Sequence, residues 1–222
     1  TVPKGVLEDA NAGRSCIAPT ALTEPKGTFT FTDFELFVIS GTYAVTDQIS
    51  IGLTTLLPLT SDMPKVGAFN LKAQVFKSDR VYLAGQVVLM GGLFQNTVYD
   101  GMGNASEENE GTGALVLGGA ATYCIDVDCH STLSGYLGAG FAREDQSAVP
   151  LLASVNTAIR VGKHVKLIGE FDTGFSDGEI DAAADAGLLW YGVRFTSSMI
   201  GVDLGFLKPI VFDGSGDGGF GD

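Results

Sequence analysis

The chain has 222 residues, a formal net charge of −13, 31 glycines and only 13 lysines and arginines. That balance argues against nucleic acid as a partner, since phosphate binding needs clustered Lys and Arg. No stretch approaches the ~20 consecutive apolar residues of a spanning helix, so a helical membrane protein is set aside as well.

Residues 1–26 carry Pro3, Pro19 and Pro25 without periodicity and read as an irregular N-terminal arm. Residues 27–46 are extended and rich in aromatics (Phe29, Phe31, Phe34, Phe37, Tyr43), but the apolar phase shifts along them. Either a bulge bends one long strand there, or two strands meet. Ile49, Ile51 and Leu53 follow the turn at 46–48. Phe69, Leu71, Ala73 and Val75 then alternate with Asn70, Lys72 and Gln74. Beyond the turn at 78–80, Val81, Leu83, Val87 and Leu89 alternate with Tyr82 and Gln86. Leu115, Leu117, Ala121 and Tyr123 lead into a bend bracketed by Cys124 and Cys129, and Leu133, Leu137, Ala139 and Phe141 leave it.

The clearest hairpin spans 149–175 around Gly162, Lys163 and His164. Val149, Leu151, Ala153, Val155, Ile159 and Val161 share a face with Val165, Leu167, Phe171 and Phe175. A three-residue turn sets Arg160 opposite Lys166, Asn156 opposite Glu170 and Ser154 opposite Asp172, which fixes the register. Finally, Leu189, Tyr191, Val193 and Phe195 alternate with Arg194, and Val202, Leu204 and Phe206 with Asp203. A strand face of Arg, Lys, Glu and Asp is an odd core for a soluble sandwich. It suits the lumen of a membrane barrel whose apolar face looks into lipid.

The reading is therefore an all-β, antiparallel meander of about 10–12 strands, with no helical period anywhere. It forms a transmembrane β-barrel over 27–210, followed by a Gly/Asp-rich tail at 211–222. Short connections (46–48, 78–80, 125–129, 162–164, 197–198) alternate with long ones (57–66, 91–112, 143–148, 176–187). Bacterial barrels keep short turns on the periplasmic side and long loops outside. The acidic residues between strands (Glu107, Glu108 and Glu110; Glu144 and Asp145; Asp177, Glu179, Asp181 and Asp185) read as solvated loops. With short turns inside the periplasm, both termini reach that side only if two further strands exist. One would come from 27–33 and one from beyond Asp222 or from another polypeptide. The start at Thr1, without Met or an apolar leader, fits a mature secreted protein or a trimmed chain.

On residues 41–52 (Gly-Thr-Tyr-Ala-Val-Thr-Asp-Gln-Ile-Ser-Ile-Gly) and on Tyr191 to Phe195 and Gly201 to Phe206, the chain resembles small porin-like bacterial outer-membrane β-barrels. That resemblance implies localisation in a bacterial outer membrane and contact with its lipid. Members of that class usually finish on an aromatic-ended strand, whereas this chain finishes Gly219-Phe220-Gly221-Asp222.

The lumen-lining candidates are Lys72, Gln74, Gln86, Asn156, Arg160, Lys166, Glu170, Asp172, Arg194 and Asp203, with Glu35 as a further candidate. They read as a charge network that fills a narrow bore. Cys124 and Cys129 are a disulfide candidate across the bend, leaving Cys16 unpaired. Asp213, Ser215 and Asp217 partly match the start of a calcium loop, but a flexible tail is the plainer reading and no cofactor is expected. Asp126, Asp128 and His130 make a poor zinc site beside oxidised thiols. The only histidines, His130 and His164, sit at turns without a nucleophile pattern, so an enzyme is not expected. The expected role is a structural or scaffold subunit of a cell-envelope assembly; the narrow lumen, the missing closing strand and the long arm favour association with other envelope protein chains. A small porin for ions or small solutes is one alternative. A soluble β-barrel that binds an apolar ligand, with Leu167, Phe171 and Val155 inward and Glu170 outward, is the other.

Overall fold

The architecture comes from a computed structural model that describes residues 2–34, 38–57, 65–99, 105–142, 151–175 and 186–211. Eleven strands form one antiparallel sheet, each paired with its neighbours in chain order. They are β1 (Phe29–Phe34), β2 (Val38–Ala44), β3 (Ile49–Leu56), β4 (Lys65–Lys77), β5 (Val81–Tyr99), β6 (Ala105–Cys124), β7 (Thr132–Ala142), β8 (Leu151–Gly162), β9 (Val165–Phe175), β10 (Ala186–Thr196) and β11 (Gly201–Val211). Among the described residues one short helix, α1 (Lys4–Leu7), lies in the arm. The ladder ends at β1 and β11, which do not pair with each other, so the described sheet is not closed. Ten antiparallel steps leave these two edge strands running in the same direction.

The phase shift in 27–46 resolves into two strands, β1 and β2, paired from Phe29↔Tyr43 to Phe34↔Val38. The β8–β9 register matches the sequence reading, with Arg160↔Lys166, Asn156↔Glu170 and Ser154↔Asp172, and a bulge falls between Arg160 and Gly162. One expectation is overturned. Residues 91–99 and 105–112 are strand and not loop, because β5 and β6 continue pairing from Leu93↔Gly111 out to Tyr99↔Ala105. Backbone hydrogen bonds carry that ribbon through glycines and through Glu107, Glu108 and Glu110, where side-chain alternation gives no signal. At ~3.3 Å per residue the 19 residues of β5 reach far past β4, whose pairing with it stops at Lys65↔Leu93.

Burial follows the alternation, but inverted. Glu170 and Arg194 are 1 % exposed and Lys166 is 4 % exposed, whereas Leu137 is 71 %, Phe206 70 % and Val155 59 % exposed. What covers the polar face is the arm. It bonds to Lys72 of β4, Thr122 of β6, Glu170 of β9 and Arg194 of β10. Val6, Ala12, Ala21 and Leu22 of the arm pack with Tyr82, Ala84, Ala120 and Tyr136 in one apolar cluster, and Cys16 packs with Ile168 and Trp190 in another.

Candidate functional site: the polar face and the arm that fills it

Period-2 alternation puts the polar residues of β3 to β11 on one face, and the arm meets them with its backbone as much as with its side chains. Glu170 on β9 accepts the N–H groups of Cys16 (2.7 Å), Ile17 (2.7 Å) and Ala18 (3.0 Å). Three donors on one carboxylate are a strong anion site, and here the anion belongs to the wall and the donors to the arm. Lys72 on β4 does the converse, donating to the carbonyls of Leu22 (2.6 Å), Gly13 (2.8 Å) and Thr20 (3.4 Å). Gln74 donates to Ala21 O (2.9 Å), whose N–H returns to Thr122 Oγ1 at 2.9 Å.

Three arm carboxylates matter as well. Lys166 Nζ reaches Asp9 Oδ2 at 2.6 Å, Arg194 Nη1 lies 3.7 Å from the same oxygen, and Arg160 Nη1 donates to Glu8 Oε2 at 3.1 Å. Glu24 lies buried against the polar face. Burial alone pushes the Asp9 carboxyl up, but Arg194 and Lys166 outweigh it and hold it below its usual range. Arg194 forks onto Asp203 (Nε–Oδ1 2.7 Å, Nη2–Oδ2 2.8 Å) and also donates to the carbonyls of Ser15, Asn11 and Arg14.

The structure thus brings the lumen-lining candidates to one face but changes their partners. Among the described residues, the charged candidates bond mainly to the arm, and Arg194–Asp203 is the ion pair formed within the set. The carbonyls and amides of the arm were missed by sequence reasoning. The available signal was an excess of cations on the inward faces of β4 and β8–β10, matched by Glu8, Asp9 and Glu24 in the arm. The arm is held by its own sheet. Gln86 and Asn156 also lie on this face, and Asp172 sits beside Glu170 with its Oδ2 buried and unpartnered. Glu35, Asp213, Ser215 and Asp217 lie outside the described residues.

At the β6–β7 end, Cys124 and Cys129 are joined by a disulfide. Asp126 accepts the N–H groups of His130 (2.8 Å) and Ser131 (2.7 Å), which anchors the bend. Burial raises the Asp126 carboxyl, yet these two donors hold it below its usual range. Gly5 of α1 docks here by donating to Asp128 O (2.6 Å). A Cβ at Gly5 would overlap the backbone of Cys129 and Asp128, so this approach requires glycine. Cys16 is buried, and burial, reinforced by Glu170, pushes its thiol up to about 12, which makes it unreactive. No cluster of His, Cys, Asp and Glu among the described residues is arranged to hold a metal ion.

No family profile matches the chain, and no curated protein or solved structure matches it either.

Proposed function

We propose that this chain is a transmembrane β-barrel of the bacterial outer-membrane kind, closed along its bore by its own N-terminal arm. It acts as a structural subunit of an envelope assembly and not as an enzyme. The observation that carries this reading is the inverted burial. Lys166, Glu170 and Arg194 are enclosed, and rows of Leu, Val and Phe face out on every strand from β3 to β11. In water such a surface is an aggregation hazard, whereas in a bilayer it is the required one. The apolar-ligand alternative needs Glu170 outside and Leu167 inside, and the burial runs the other way. The arm fills the polar face with charge-assisted hydrogen bonds, which favours a scaffold over an open pore. The small-porin reading keeps one supporting observation, a cavity of about 410 Å³ beside the arm.

Envelope fractionation with boiled and unboiled gel samples tests the first part. Outer-membrane partition with a heat-dependent mobility shift is expected, and full recovery in the detergent-free soluble fraction would overturn it. Planar-bilayer recording tests the second part. The intact chain should give no steady conductance, and an open-channel current would replace the scaffold by the porin.

A further inference from the structure

Among the described residues, neither β1 nor β11 has a strand on its outer edge. A single cavity of about 290 Å³ is lined by both of them, by Phe31 and Thr32 of β1 and by Val202, Asp203 and Gly205 of β11. The two edges therefore face each other across a slot without pairing. An open edge carries a row of N–H and C=O groups that hydrocarbon does not tolerate and that templates a further strand.

We propose that this slot takes one extended strand of a partner polypeptide, running antiparallel to both edges and completing the barrel. Direction selects the occupant. β1 and β11 run the same way, so pairing them directly gives a parallel ladder, whereas one strand of opposite direction forms an antiparallel ladder on each side. A second copy of this chain, inserted in the same orientation, offers its own β1 and β11 edges, which again pair only in parallel. Segments of this chain fit no better. Residues 1–26 are engaged on the polar face. Residues 212–222 hold two apolar side chains, Phe212 and Phe220, among Gly, Ser and Asp, and lack the alternation of a barrel strand. The edges also set the chemistry of the guest. Phe31 and Val202 point outward, 63 % and 46 % exposed. Thr32 lines the cavity beside the arm as well, and Asp203 is tied inward to Arg194. The incoming strand thus carries aliphatic or aromatic residues at every second position, which continue the outer row. Small or hydroxyl residues stand between them, against Thr32 and Gly205. This names the kind of partner that the envelope subunit proposed above takes, and it rests on that reading.

The test uses the full chain in detergent and a peptide of about ten residues that alternates Val and Thr, with one central Val replaced by Cys. Phe31→Cys and Val202→Cys should each form a mixed disulfide with this peptide under mild oxidation. Val155→Cys, outward on β8 and away from both edges, should form none. Neither edge variant should capture a peptide of the same composition whose Val residues stand in one block. The parent supplies the background, since its free Cys16 is buried. On the unsubstituted chain, the alternating peptide should slow hydrogen exchange at β1 and β11 amides about tenfold or more and leave β6 unchanged. Capture at neither edge or at one only, equal capture of the block peptide, or unchanged exchange at both edges overturns the proposal. So does a Phe31→Cys, Val202→Cys double variant that closes its own disulfide without peptide. Directly paired strands bring opposite Cβ atoms to about 4.5–5.5 Å, and the slot would then be shut. A heat-dependent mobility shift checks that each variant folds. Outer-membrane partition of the chain without capture of the peptide would sink this inference and leave the barrel reading standing.

Discussion

Glu170 and Lys72 show how main-chain dipoles hold a buried charge: each bonds to three backbone groups of the arm. Removing the Glu170 carboxylate strands two buried donors, Cys16 and Ala18 N–H, and the half-buried Ile17 N–H, each buried one costing about 1–3 kcal/mol if unpaired. Glu170→Ala should therefore weaken arm docking by roughly 3 kcal/mol, about a hundredfold in the open population. Trypsin cleavage after Arg14, a site buried with the arm, should accelerate by about that factor. Cleavage at the parental rate would show that Glu170 does not hold the arm. Asp9 sets the acid response. Its folded pKa is depressed, so its stabilisation is fully present above the unfolded value of about 3.9 and is lost as pH falls through the folded one. Trp190, the single tryptophan, borders a cavity with Asn11 and Arg14. The Asp9 share of the acid response, taken as the difference in this emission between the parent and Asp9→Asn, should be confined below about pH 4. A transition of that difference between pH 5 and pH 7 would exclude Asp9 as the controlling group.

The arm and the sheet differ in how legible they are. Strands β4 and β8 to β10 display their two faces at period 2, so Lys72, Asn156, Lys166, Glu170 and Arg194 could be assigned to one face from spacing alone, and the β8–β9 register with them. The arm has no period, because its ties are carbonyls and amides at Gly13, Cys16, Ile17, Ala18 and Leu22, and backbone atoms leave no trace in residue identity. The same reasoning explains the misread ribbon at 91–99 and 105–112, where main-chain pairing continues through Gly91, Gly92, Gly111 and Gly113 without an apolar pattern. The arm's two anchors can be separated. A side chain at Gly5 must displace the Cys129 backbone, an overpacking cost of about 1–3 kcal/mol. Gly5→Val should free α1, seen as faster hydrogen exchange at Val6 and Leu7, while the Cys16, Ile17 and Ala18 amides on Glu170 stay protected. Loss of protection at both sites would mean that the arm docks as one unit.

At the scale of the whole molecule, the question is which solvent meets the apolar face, and a depth profile answers it. In a bilayer, an outward Arg costs ~2–4 kcal/mol at the midplane and ~0–1 near the interface. In water, an exposed Val→Arg change is close to neutral anywhere on the strand, within about ±0.5 kcal/mol. Strand β8 supplies both positions on one face: Val155 lies mid-strand opposite Phe171, and Val161 lies beside the β8–β9 turn, 59 % and 57 % exposed. Since the two exposures are nearly equal, burial within the protein predicts equal effects, and only a lipid slab distinguishes them. Val155→Arg should lower stability to urea in vesicles by ~2–4 kcal/mol and Val161→Arg by ~1 kcal/mol or less. Leu167, paired with Ile159 between those two levels, should fall between them when replaced by Arg. This ordering follows from distance to the membrane centre alone. Equal, small effects at all three positions would mean that water faces this side of the sheet, and the exposed rows of Leu, Val and Phe would then need a protein partner to cover them.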